Sequence, residues 1–179
     1  VFISDDNQEE LKLAHAFGAP VISEMSIQKG SLRAHANQKK IPYLVYEAGE
    51  AMRFDEPSIR IGMKGVTHVM RHIEMFSTPS KATPTKQDSF LMRDTRWVRS
   101  PTSGVNYSSI TLGQQVKKGE LLSIIKDPFG AGPDVQVMAA FDGLVVSINN
   151  LPLVYEGVTL FQLAAFERLS LAATHIEDW

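Results

Sequence analysis

Apolar positions in the first half of the chain follow two rhythms. Short runs bounded by breakers, "VFIS" at 1–4, "PVISEM" at 20–25 and "IPYLVYE" at 41–47, read as buried strands. Between them, apolar residues fall at helical intervals. Leu11, Leu13, Ala14 and Phe17 predict a helix over 5–18, capped by Asp5 or Asp6, with Gly18 and Pro20 as stop signals. Ser31 caps a second helix over 32–40, whose Lys39 and Lys40 suit the negative end of the helix dipole. Ile59, Met63, Val66, Met70 and Ile73 recur at spacings of three and four and predict a long helix over 57–76, with Pro57 in its first turn. Gly62 and Gly65 either weaken this helix or mark close packing.

The pattern changes after "STPSKATPTKQDS" at 77–89, a Ser, Thr, Pro and Lys-rich stretch where a domain boundary belongs. Beyond it, short β-like runs alternate with glycines and prolines. Two of them repeat. "VKKGELLSI" and "VYEGVTLFQL" share Val-x-x-Gly-x-x-Leu, and Val116, Gly119 and Leu122 each lie 38 residues before Val154, Gly157 and Leu160. Two similar β half-units imply a small two-fold sandwich or barrel, with the turn-rich "DPFGAGPD" at 127–134 between them. The expected organisation is an α/β part at 1–76, a linker at 77–94, a β domain at 95–166 and a tail at 167–179 containing a short helix.

Composition narrows the picture only a little. Of 179 residues 44% are hydrophobic, which supports a packed core rather than disorder. A net charge of -2 gives no case for a nucleic-acid partner. The absence of cysteine excludes disulfides, thiolate metal sites and a cysteine nucleophile, and fits a cytoplasmic location. No run reaches the ~18 apolar residues of a membrane span, so no membrane partner is expected. A start at Val1, inside an apolar run, is read as the middle of a longer protein.

The ordered series "GAPVI", "GSLRAHA", "IPYLVYEAGE", a Gly-containing helix, "WVRSPTSGV", "VKKGELLSIIKDPFG", "FDGLVVS" and "LPLVYEGVTLF" resembles the C-terminal half of the succinylglutamate desuccinylase/aspartoacylase family, from about residue 10 to 165. The resemblance implies an α/β fold: the C-terminal part of a zinc-carboxypeptidase-like mixed-sheet domain, followed by a small all-β barrel-sandwich domain. It also implies a zinc-dependent hydrolase that cleaves the amide bond of N-acyl amino acids or similar small amides. That family holds Zn(II) through a His-x-x-Glu pair and a later histidine. Here His15, His35, His68, His72 and His175 are followed three residues on by Gly18, Gln38, Arg71, Met75 and Asp178, so none forms the pair. The zinc ligands are therefore expected outside this chain, which alone would be inactive.

Two residues carry the implied chemistry. Glu47 stands in the family's Glu-x-Gly context, as Glu47-Ala48-Gly49, and closes a strand. The resemblance makes it the general base that takes a proton from the attacking water and passes it to the leaving amine. Without the resemblance, a solvated strand end or an ion pair is the favoured reading. Glu50, past the glycine, reads as solvated. Arg33 in "GSLR" is the nearest match to the family's arginine for the substrate carboxylate, a bidentate role that suits a guanidinium. The alternative for Arg33 is a surface helix position.

Other features are set aside. His68 and His72 share a helix face, but Val69 stands where a zincin has glutamate. The β domain resembles lipoyl and biotinyl carriers, yet no lysine follows Lys126, and Lys126 lacks the Met-Lys-Met setting. Trp97 and Tyr107 read as core or interface aromatics. The competing function is a non-catalytic binding or scaffolding module that uses the β domain for assembly. Homo-oligomerisation is left open.

Overall fold

The computed structural model describes residues 1–77, 89–92 and 94–165. The chain divides into two compact units, Val1–Leu91 and Met92–Trp179. The division falls inside the stretch expected as linker, which is strand at Phe90–Met92 and again from Asp94. The rest of that linker and the expected tail helix lie outside the described residues.

The first unit is built on a βαβ step. β1 (Phe2–Ile3) and β2 (Val21–Glu24) are parallel neighbours, joined through α1 (Gln8–Phe17). α1 starts later than the sequence predicts. Asn7, not Asp5 or Asp6, is the cap: its Oδ1 accepts from the N–H groups of Glu9 and Glu10, while Asp6 occupies a turn at φ 54. Gly18 ends the helix, its N–H reaching Ala14 O. α2 (Leu32–Gln38) is capped by Ser31 as expected but stops before Lys39 and Lys40. β3 (Phe90–Met92) adds to the sheet beside β2.

α3 (Glu56–His72) has the predicted period, but the chain buries a different face. Ile59, Met63, Val66 and Ile73 are exposed, whereas Gly65 is buried. The glycines mark close packing. A Cβ at Gly65 would meet the Phe17 ring at 2.4 Å, and one at Gly62 would meet the Tyr46 ring at 3.0 Å. Phe17 and Tyr46 also touch, ring centroids 5.1 Å apart. Around them Ile3, Ala14, Ala19 and Ile22 form the core, with Leu44, Ile61 and Val69 packed against it.

The second unit holds two four-stranded sheets. Its strands are β4 (Asp94–Arg99), β5 (Gly104–Ser108), β6 (Gln115–Val116), β7 (Leu121–Lys126), β8 (Val135–Met138), β9 (Gly143–Ile148), β10 (Leu153–Val154) and β11 (Thr159–Ala165). The orders are β10-β5-β7-β8 and β4-β11-β9-β6. Read from opposite ends, the sheets match under the sequence repeat: β6 corresponds to β10, β7 to β11, β5 to β9 and β4 to β8. Each half lends its two-residue strand to the other half's sheet, β6 to β9 and β10 to β5. One core of Val116, Leu122, Ile125, Val137, Val145, Val154, Leu160, Phe161 and Leu163 takes side chains from both sheets. Trp97 and Tyr107 are not in it; both are about half exposed.

Candidate functional site

The expected strand at 41–47 is an extended segment with a single bridge to β1. Phe2 and Val45 exchange N–H···O bonds of 2.8 and 3.2 Å, antiparallel. The next hydrogen-bonded pair of such a ladder would be Ser4 with Tyr43. Both of those N–H groups turn instead to the Glu10 carboxylate, Ser4 N to Oε2 at 2.6 Å and Tyr43 N to Oε1 at 3.2 Å. Glu10 is 2% exposed. A side chain of α1 thus supplies the rung that the strand lacks. In the sequence, the signal for Glu10 is an acid at an apolar helical position, four residues before Ala14 and seven before Phe17.

Beyond the bridge, Tyr46 is half-buried and Glu47 is exposed. Tyr46 faces the helices. Its hydroxyl donates to Ser58 O at 2.8 Å. Burial pushes its phenol above the ordinary pKa of 10.0; the Ser58 hydroxyl opposes this and the Asp55 carboxylate adds to it. Ser58 Oγ also donates to Asp55 Oδ2. Gly49, at φ +80, turns the chain back against Asp55 and Ser58; a Cβ there would make only ordinary contact with them, at 3.4 Å or more, so it is the left-handed backbone that favours glycine. Tyr46 and Gly49 therefore anchor the two sides of Glu47 onto the start of α3.

Glu47 itself is exposed and accepts no hydrogen bond among the described residues. It lies past the bridge, beside the start of β1. Glu50 is exposed and pairs with Arg53 at 3.5 Å, a surface contact of little energetic weight.

Arg33 lies toward the other end of β1. Its Nη2 donates to Met25 O at 3.0 Å and to Ser4 Oγ at 3.4 Å, just past the C-terminal ends of β2 and β1. Its Nε is buried and has no hydrogen-bond partner among the described residues. No hydrogen bond or ion pair joins Arg33 to Glu47 among the described residues: Arg33 reaches Ser4, just past the end of β1, whereas Glu47 follows Val45, which bridges Phe2. Among the described residues, no group of three His, Asp or Glu side chains gathers to hold a metal ion, so the described residues do not fit a zinc site. No helix among them is long and apolar enough to cross a membrane.

Solved structures share this architecture. The ectoine utilization protein EutE (DoeB) of Ruegeria pomeroyi matches with a TM-score of 0.80 and 21% identity, over 92% of this chain and 52% of that one. A succinylglutamate desuccinylase/aspartoacylase of Rhodobacter sphaeroides matches at 0.77 and 19% identity, again over 92% and 52%. The chain has the succinylglutamate desuccinylase/aspartoacylase fold. An aspartoacylase family protein of Mesorhizobium loti shares it at a TM-score of 0.72 and 13% identity, over 93% of this chain and 52% of that one. The chain thus spans about half the length of these desuccinylase/aspartoacylase structures. No protein-family model and no curated protein matches the sequence.

Proposed function

We propose that this chain is part of a hydrolase of the deacylase type, cleaving the amide bond of an N-acyl amino acid or a similar small amide. The observation that carries the reading is the desuccinylase/aspartoacylase fold over 92% of the chain. Zn(II) enters the proposal as a group held by residues outside this chain. When bound, it would supply Lewis acidity.

Glu47 is the proposed general base. It would take a proton from the attacking water as the water oxygen bonds to the amide carbon. It would return that proton to the amide nitrogen as the C–N bond breaks. An exposed carboxylate with free acceptor oxygens, on a backbone held from both sides, supports this role. Arg33 is the proposed ligand of the substrate carboxylate, supported by its buried and unpartnered Nε. The matching halves of the β unit support reading it as a barrel-sandwich domain.

The test is hydrolysis by the full-length protein, with added zinc, across a panel of N-acyl amino acids and uncharged amides. Turnover of at least one N-acyl amino acid is expected. No turnover of any, in a folded and zinc-loaded protein, overturns the reading.

A further inference from the structure

Glu10 is buried, charged and far in sequence from every residue assigned a role above. Its two oxygens accept the N–H groups of Ser4 and Tyr43, the two donors that would otherwise pair with each other's carbonyls in the next rung beyond Phe2 and Val45. Arg33 adds a contact to the same Ser4 from the other side, at its hydroxyl. Ser4 is 5% exposed, so its N–H has no recourse to water if the carboxylate is lost. A carboxylate that accepts two backbone N–H bonds is a stronger tie than a neutral rung.

Register is at stake. With a single bridge to β1, the segment 41–47 has little else in the sheet to hold it. A slip of one residue would exchange its two faces, turning Tyr46 out and Glu47 in. The Glu10 rung pins Tyr43, and with it fixes which residues face α3. We propose that Glu10 is the positioning residue for Glu47: by standing in for a strand pair, it sets the register that presents Glu47 away from the helices. This inference rests on the proposed role of Glu47, but it can be read without any catalysis.

Glu10→Gln is close in shape, yet its amide offers one acceptor oxygen and places an NH2 group against the second N–H. Glu10→Ala removes both acceptors. Glu9→Gln, one residue away and exposed, changes the same first-turn charge without touching the rung and serves as control. In the full-length protein, amide exchange at Ser4, Tyr43 and Val45 should quicken by about tenfold or more in Glu10→Ala, less in Glu10→Gln, and not in Glu9→Gln. The nuclear Overhauser contact between the Tyr46 ring and Gly62 should weaken in the same order. With zinc and substrate, kcat should fall by about ten- to a hundredfold while KM holds.

Unchanged exchange and an intact Tyr46–Gly62 contact in Glu10→Gln and Glu10→Ala would overturn the proposal. So would equal losses in Glu9→Gln. An inactive parent protein would count against the deacylase reading alone, since exchange and ring contact still decide the role of the rung.

Discussion

The Phe17 ring lies on the backbone of Gly65, so close that a Cβ there would sit 2.4 Å from two ring carbons. This contact seats α3 on α1. Phe17 is 6% exposed and cannot swing away into solvent. In Gly65→Ala, overpacking of about 1–3 kcal/mol opposes a helix-propensity gain of about 1 kcal/mol. A net loss of stability is expected in urea or thermal melts. Gly62→Ala meets the Tyr46 ring at a gentler 3.0 Å and should cost less. The reverse ranking would contradict this account of α3 packing.

Tyr46 makes the first unit sensitive to alkali. Its folded-state phenol pKa is raised above 10.0, chiefly by burial. The unfolded chain therefore releases the proton first. The stabilisation is complete below pH 10 and is lost as pH rises through the folded value. Tyr46→Phe gives up the bond to Ser58 O, about 1 kcal/mol at neutral pH, and should flatten the alkaline decline. Denaturant melts from neutral pH to about pH 11 check this; equal declines in the two proteins would contradict it.

The two halves of the β unit should respond alike. Gly119 and Gly157 both have φ +81 with open space around them, and their N–H groups bond Ala139 O and Ser100 O at 2.8 Å. Those carbonyls follow β8 and β4, which correspond under the repeat. Each Gly→Ala should cost about 1–2 kcal/mol from the left-handed backbone alone, and each Gly→Asn less. A neutral change at one site with a full cost at the other would break the equivalence.

These cases also show how much was legible in the chain. The repeat was readable because Val-x-x-Gly-x-x-Leu encodes a complete local unit: a short strand, a left-handed turn and a long strand. The helices were readable from period and caps, although Asn7 displaced the expected Asp5 or Asp6. The apolar run at 41–47 predicts a longer strand than the single bridge of Val45 to Phe2. What shortens it, the bond from Tyr43 to Glu10, joins residues 33 apart in sequence. Period predicts α3 but not the face it buries: Gly65 and Gly62 lie against the Phe17 and Tyr46 rings, while Ile59, Met63 and Val66 are exposed. Glu47 and Arg33 stand out through a family resemblance, and nothing local to Arg33 shows that it reaches Ser4 and Met25 at the strand ends.

Arg33 can be tested by the split between binding and turnover. As a substrate-carboxylate ligand, its change to Ala should raise KM for N-acyl amino acids by about tenfold or more and leave uncharged amides nearly unaffected. Its bonds to Met25 O and Ser4 Oγ predict some loss of stability in either event. Equal effects on charged and uncharged substrates would remove it from substrate binding and leave it as a brace at the strand ends.

The central claim is that Glu47 moves the proton. The most direct measurement compares kcat of the full-length, zinc-supplemented protein with that of Glu47→Gln on its best N-acyl amino acid. Glutamine keeps the shape and cannot accept the proton. The account predicts a fall of about 10²–10⁴-fold, with zinc content and melting temperature unchanged. Near-parental turnover in Glu47→Gln would contradict it.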